Sequence, residues 1–148
     1  ALLAGGRSYS KMWRKPELDP TYGTSAMNTL QSLIELYPDS HLVPQAKVLL
    51  AKLDNMFAIK DLEVGDHYIR RGAYDSAIIY LKDVIKLHPD APATRTAYLK
   101  LLVAYRAIKY TDDAKDLCVA AVKAYPNDRE VRQQCGSASS AEASTPRT

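Results

Sequence analysis

Three helical segments of this chain stop in the same way. Leu33-Ile34-Glu35-Leu36-Tyr37-Pro38-Asp39, Val84-Ile85-Lys86-Leu87-His88-Pro89-Asp90 and Ala121-Val122-Lys123-Ala124-Tyr125-Pro126-Asn127 each run an apolar stripe into an aromatic ring or imidazole, then a proline, then a turn residue. Proline has no N–H to donate and clashes with the turn before it, so the helix ends there, and Asp or Asn accepts the turn that follows. A stop signal that recurs marks stacked helix pairs, each of which buries its apolar face only against its neighbours. The expectation is an all-α chain built to bind.

Composition agrees and removes other classes. With 148 residues, 47% hydrophobic and 25% charged, the chain can bury a core as one domain or a short repeat array. Its net charge of +3 is small and the charges are interspersed, so no basic stripe tracks a phosphate backbone and nucleic acid is not an expected partner. No run is apolar and long enough to span a bilayer. Ten tyrosines stand against one Phe and one Trp, a usage that suits half-buried helix seams where the ring packs and the hydroxyl stays wet. Of the two cysteines, Cys118 falls among apolar helical positions and Cys135 lies near the end of the ordered part. The burial habits of free cysteine favour one buried and one terminal thiol, while a Cys118–Cys135 disulfide stays open if the compartment is oxidising. The start, Ala1-Leu2-Leu3-Ala4-Gly5-Gly6, lacks a basic stretch and a lipid-bearing cysteine. It reads as a helix cut in the middle, so the chain is expected to be a fragment of something longer.

Taking Pro89 as the residue that closes a helix pair places Gly65 and Tyr68 at the small and aromatic positions of its first helix. Ala77, Leu81 and Val84 then follow in its second. Pro126 used in the same way selects Leu102, Tyr105, Ala114, Cys118 and Ala121. Both registers resemble tetratricopeptide (TPR) repeats, in which a small residue on one helix admits a large one from the facing helix. Pro89 and Pro126 lie 37 residues apart, near the TPR period of about 34. Pro38 and Pro89 lie 51 apart, and only Gly65 interrupts Pro44 to Arg71, so one unusually long helix of about 40 Å is expected there. Pro38 selects Ala26, Leu30 and Leu33, but its first helix does not fit, since Lys15-Pro16-Glu17-Leu18-Asp19-Pro20 inserts a longer loop.

The fold expectation is an all-α, tetratricopeptide-like helical-hairpin solenoid of about three repeats with one unusually long helix. Residues 1–135 form the repeat domain: 1–41 a degenerate repeat, 42–91 a repeat with a long first helix, 92–127 a regular repeat and 128–135 a short cap. Residues 136–148, Ser/Ala-rich without a large apolar residue, are expected to be a disordered tail. The helices are placed at Leu2–Trp13, Pro20–Leu36 capped by Asp19, Pro44–Arg71 stopped by Gly72, Tyr74–Leu87 and Pro92–Ile108. Then come Thr111–Tyr125, capped by the Thr111 hydroxyl, and a short helix over Asp128–Gln134.

Chemistry-bearing clusters are scarce. His41, His67 and His88 stand far apart with no Cys or carboxylate at metal-ligand spacing, and a zinc site needs four convergent ligands, so no metal is expected. Asp112, Asp113 and Asp116 complement a helix N-terminus and need no catalytic explanation. No glycine-rich phosphate loop occurs, and no cofactor or catalytic residue is assigned; an enzyme is not expected.

The binding face is sought where TPR arrays bind, on the exposed positions of each first helix. Carried onto the two well-matched repeats, these are Ile59, Leu62, Asp66, Ile69 and Arg70, then Leu99, Val103 and Arg106. Apolar side chains edged by arginine are typical of partner sites, although a neighbouring helix covering them is the plainer alternative.

Three features narrow the family. They are Asp19-Pro20-Thr21 entering a helix that ends Tyr37-Pro38-Asp39-Ser40, the overlong helix, and Tyr68-Ile69-Arg70-Arg71-Gly72-Ala73-Tyr74. The last is similar to the Tyr-Tyr-x-Arg-Gly-Ala-Tyr turn of the BamD (ComL/YfiO) family of outer-membrane assembly lipoproteins. Asp90-Ala91-Pro92-Ala93-Thr94 and Ala104-Tyr105-Arg106 resemble that family's last repeat. The likeness covers Leu18 to Pro126, as three C-terminal repeats; Ile78-Ile79-Tyr80 depart from it, standing where relatives often carry a polar residue. It implies a non-catalytic scaffold of the outer-membrane β-barrel assembly machinery at the periplasmic face of a Gram-negative outer membrane. Implied partners are a POTRA domain of BamA and accessory lipoproteins, with a lipid-anchored parent. The rival is a generic TPR adaptor that holds an extended peptide in its concave groove. A carboxylate clamp there would want Lys or Asn, where this chain has Asp66, Ile69 and Val103.

Overall fold

The computed structural model describes residues 1–15 and 19–142, with side chains through Gly136. The described residues form seven helices and no strand: α1 (Leu2–Met12), α2 (Thr21–Leu36), α3 (Val43–Arg70), α4 (Tyr74–Leu87), α5 (Thr94–Ala107), α6 (Thr111–Ala124) and α7 (Arg129–Glu142). This is the all-α, TPR-like helical repeat that the stop signals imply. The chain divides into two compact units, Ala1–Lys60 and Asp61–Thr148, and the division falls inside α3.

The three stops adopt one backbone conformation. Tyr37, His88 and Tyr125 sit at φ −134, −130 and −129° with ψ 59, 53 and 63°. Each donates its N–H four residues back, to Leu33, Val84 and Ala121, at 3.0, 3.0 and 2.9 Å. Each carbonyl then accepts from the residue three positions on, Ser40, Ala91 or Asp128. The proline between them has no N–H to leave unsatisfied, which is why it suits this turn.

In the first unit α1 packs on α2, and Leu3, Trp13, Ala26, Leu30, Leu33, Val43, Ala46 and Leu53 make the core. Close approach depends on glycine. A Cβ on Gly23 would lie 2.3 Å from the Trp13 ring, and one on Gly6 would lie 2.5 Å from Leu30. Trp13, 1% exposed, therefore lies directly on the α2 backbone, with the Phe57 ring centroid 4.4 Å from its own. The expected Asp19 cap sits one residue earlier than a cap position, since Pro20 precedes the helix, yet its carboxylate still accepts from Thr21 N–H at 2.9 Å and Thr21 Oγ1 at 2.6 Å. Of the loop expected over Lys15–Pro20, residues 16–18 lie outside the described residues.

In the second unit, α4 packs on α5, α5 on α6 and α6 on α7. Gly65 faces Leu81, which would lie 2.8 Å from a Cβ there, so the small-against-large pairing read from the register is present. Tyr68 stacks on Tyr80 at 5.6 Å and Tyr98 meets Tyr125 edge-on at 5.7 Å. Gly72, at φ 73°, ends α3 with two bonds, Gly72 N–H to Ile69 at 2.9 Å and Ala73 N–H to Tyr68 at 2.9 Å. Lys109, 37 residues later, ends α5 with the same pair of bonds at φ 61°, without the glycine that relieves this conformation.

Four further expectations are corrected. Helix α5 begins at Thr94 rather than Pro92, because Thr94 N–H closes a turn onto Ala91 at 3.0 Å and the buried Thr94 hydroxyl donates to the His88 carbonyl. Thr111 is already helical and its hydroxyl caps nothing; Tyr110 precedes the helix without a side-chain cap. Helix α7 does not stop at Gln134 but continues to Glu142, into the stretch expected to be disordered, and residues 143–148 lie outside the described residues. Cys118 and Cys135 are not two thiols: they form a disulfide joining α6 to α7, and both are buried.

Candidate functional site

The expected face rests on α3 and α5. Ile59 belongs to the first unit, where it is half-buried. Leu62, Asp66, Ile69 and Arg70 lie on the last turns of α3 in the second unit; the first three are half-buried and Arg70 is exposed. On α5, Leu99 is half-buried, Val103 is 53% exposed and Arg106 is exposed.

Two of these residues carry specific bonds. The Asp66 carboxylate accepts from Lys100 Nζ of α5, and Arg70 Nη1, one turn along α3, lies 3.0 Å from its other oxygen. The Lys100 hydrogen bond holds the Asp66 carboxyl below its ordinary range, reinforced by the charges of Lys100 and Arg70. Asp66 therefore ties α3 to α5. Arg106 turns toward α7, donating from Nη2 to the Gln134 carbonyl at 2.5 Å and from Nη1 to Gln134 Oε1 at 3.1 Å. It is a rim cation with an internal partner. Leu99 and Val103, one turn apart on α5, are the apolar part of the face.

Lys100 and Gln134 were not among the residues read from sequence. Lys100 carried no signal in the sequence, because its bond to Asp66 joins different helices at non-equivalent repeat positions. Also unforeseen is Arg95, in the first turn of α5. It donates to Asp128 from Nε at 2.5 Å and from Nη2 at 3.1 Å, and again from Nη2 to Glu130 at 2.7 Å. The bidentate bond from Arg95, helped by the Val131 N–H, draws the Asp128 pKa down to about 2 and raises that of Arg95. Burial pushes the Tyr98 and Tyr125 hydroxyls up, at the seam between these helices.

Among the described residues no three His, Cys, Asp or Glu side chains converge on a possible metal position, and every buried side-chain nitrogen or oxygen has a partner. No helix there is long and apolar enough to cross a membrane. What the face offers chemically is an apolar patch of Leu99 and Val103 beside an Asp66–Lys100–Arg70 cluster.

Residues 3–119 match the YfiO family, described as outer membrane lipoproteins. The chain belongs to that family. Relatives include the outer membrane protein assembly factor BamD of Vibrio cholerae, 32% identical over 94 residues, or 64% of this chain and 39% of that protein. BamD of Caulobacter vibrioides is 26% identical over 104 residues, 70% of this chain and 34% of its own. BamD of Xylella fastidiosa is 30% identical over 80 residues, 54% and 27%. The chain thus spans less than two-fifths of the length of these relatives. The match takes in every residue of the candidate face and Cys118, while α7 and Cys135 lie beyond it.

Proposed function

We propose that this chain is a non-catalytic protein-interaction scaffold of the outer-membrane β-barrel assembly machinery, acting at the periplasmic face of the outer membrane. Membership in the YfiO family carries this reading, because the relatives that match are named outer membrane protein assembly factors. The disulfide supports an oxidising compartment such as the periplasm. The docking partner in this reading is the membrane-proximal POTRA domain of BamA, together with accessory lipoproteins. The contact is made by Leu62, Ile69, Leu99 and Val103 of the second unit, with Asp66, Arg70 and Arg106 at its edge.

A central apolar cluster with a charged rim is how a small interface concentrates its binding energy. Calorimetry of this chain against that POTRA domain from the same organism is the test, with binding at micromolar or tighter as the expected result. Val103→Asp should abolish it while the far-UV circular dichroism stays helical, since Val103 is already 53% exposed. Binding that survives this change would refute the face, and a folded chain that does not bind at all would refute the partner. The peptide-clamp alternative gains nothing from the geometry, because Lys100 is already engaged by Asp66.

A further inference from the structure

The second unit carries a cavity of about 300 Å³ that the candidate face does not use. Its floor is apolar: Ile85 of α4, Leu101 and Tyr105 of α5, and Leu117 of α6. Its two banks are charged and of opposite sign. Lys82 and Lys86, one turn apart, line the α4 side, while Asp113 and Asp116 line the α6 side. All four are exposed, and none makes an ion pair or a side-chain hydrogen bond among the described residues. The field of Asp113 reaches the floor, where it adds to burial in raising the Tyr105 hydroxyl.

Size and charge together restrict the occupant. The volume sits at the low end of the range for small-molecule sites, about 300–1,000 Å³, so one large side chain fills it and a bulky cofactor does not fit. Nucleic acid would meet an acidic bank. A zwitterionic lipid headgroup carries both its charges at one end of the molecule, whereas here they are held apart across an apolar floor. A peptide satisfies all three surfaces, because residues on either side of an inserted side chain leave in opposite directions along the backbone.

We propose that this cavity docks a partner segment presenting one large apolar side chain, best an aromatic ring, between an acidic and a basic residue. The ring lies on Leu101 and Tyr105, the acid meets Lys82 and Lys86, and the base meets Asp113 and Asp116. The proposal is independent of the POTRA reading, since it uses other residues: α5 serves both, but its Leu101 and Tyr105 are not part of the candidate face.

The test is amide NMR of the whole isotope-labelled chain, titrated with a capped Ser-Glu-Phe-Lys-Ser peptide. Shifts confined to the turns around Lys82–Lys86 and Asp113–Leu117 are expected. A peptide with Ala for Phe should bind at least about tenfold more weakly, having lost its buried anchor. Peptides flanked by two Lys or two Glu should also bind more weakly, and added salt should narrow that difference. Lys82→Glu combined with Lys86→Glu makes both banks acidic and should switch the preference to the Lys-Phe-Lys peptide. Should that variant lose its helical signal, Asp113→Asn with Asp116→Asn reads the same device from the other bank, with preference moving to Glu-Phe-Glu. The proposal is overturned if no peptide shifts these amides, if charge order makes no difference in either variant, or if phosphatidylethanolamine bicelles shift them where peptide does not.

Discussion

Reducing the Cys118–Cys135 bond tests how the end of the second unit is held. The two cysteines are 17 residues apart, and opening a loop of that size returns chain entropy to the unfolded state worth about 3 kcal/mol at 25 °C. What remains on α7 is modest. Val131 is fully buried, and a buried valine contributes roughly 1.5–3 kcal/mol at most. The Arg95 ion pairs with Asp128 and Glu130, and the Arg106 hydrogen bonds to Gln134, join side chains that solvent reaches and screens, so they add little. A helix of 14 residues is marginal alone in water. Hydrogen exchange on the intact chain, with and without reductant, reads the consequence. The amides of α7 should lose up to about a hundredfold in protection, since every 1.4 kcal/mol is a factor of ten. Those of α1 and α2 should not change, because the first unit contains neither cysteine. Equal α7 protection in the two states would refute the reasoning, and so would two titratable thiols in the native oxidised protein.

Two further outcomes follow from specific contacts. Asp128 has a folded pKa of about 2 against an ordinary 3.8, so its stabilising effect is complete above about pH 4 and is lost as the pH falls through 2. The α7 amides should lose protection across that window, and Asp128→Asn should remove this acid step; an unchanged acid profile in the variant would count against the Arg95 bond. Gly23→Ala pushes a Cβ to 2.3 Å from the Trp13 ring, and overpacking costs about 1–3 kcal/mol, only partly offset by roughly 1 kcal/mol of helix propensity. The single tryptophan reports on it directly: a red-shifted emission and a lower melting temperature are expected, and unchanged values for both would show that α1 and α2 can separate without loss.

Local signals were the legible ones. The Tyr/His-Pro-Asp/Asn stops translate into one backbone conformation because proline and the turn residue act within four positions. Helix α4 spans Tyr74–Leu87 as read, bounded by Gly72 and Pro89. The long helix is present as 28 residues, since Gly65 is the one potential breaker in its interior and serves there as the small residue facing Leu81. What was misread depended on tertiary partners. Thr94 restarts the chain two residues late because its hydroxyl finds the His88 carbonyl, and periodicity says nothing of such a bond. The candidate face shows the same limit. Asp66 and Arg70 are paired within one helix, as their spacing allows, but Lys100 and Gln134 come from other helices and change what Asp66 and Arg106 can offer a partner.

The disulfide was left open by the sequence, and the structure shows how the repeat accommodates it. Shifting Cys118 and Cys135 back by the 37-residue offset lands on Leu81 of α4 and Tyr98 of α5, two helices that pack on each other. Helices α6 and α7 pack in the same succession, and α7 has the 14 residues of α5. So α7 occupies the place of another first helix, and the stop at Tyr125-Pro126-Asn127 leads into it as the stop at His88-Pro89-Asp90 leads into α5. The two differ in how much they bury. Six residues of α5 are buried, whereas Val131 and Cys135 are the apolar residues that α7 buries among its described side chains. Exposed Arg132, Gln133 and Gln134 cover the rest of that turn. A helix with so thin an apolar seam needs another attachment, and the buried sulfur pair supplies it at the position where α5 offers the ring of Tyr98.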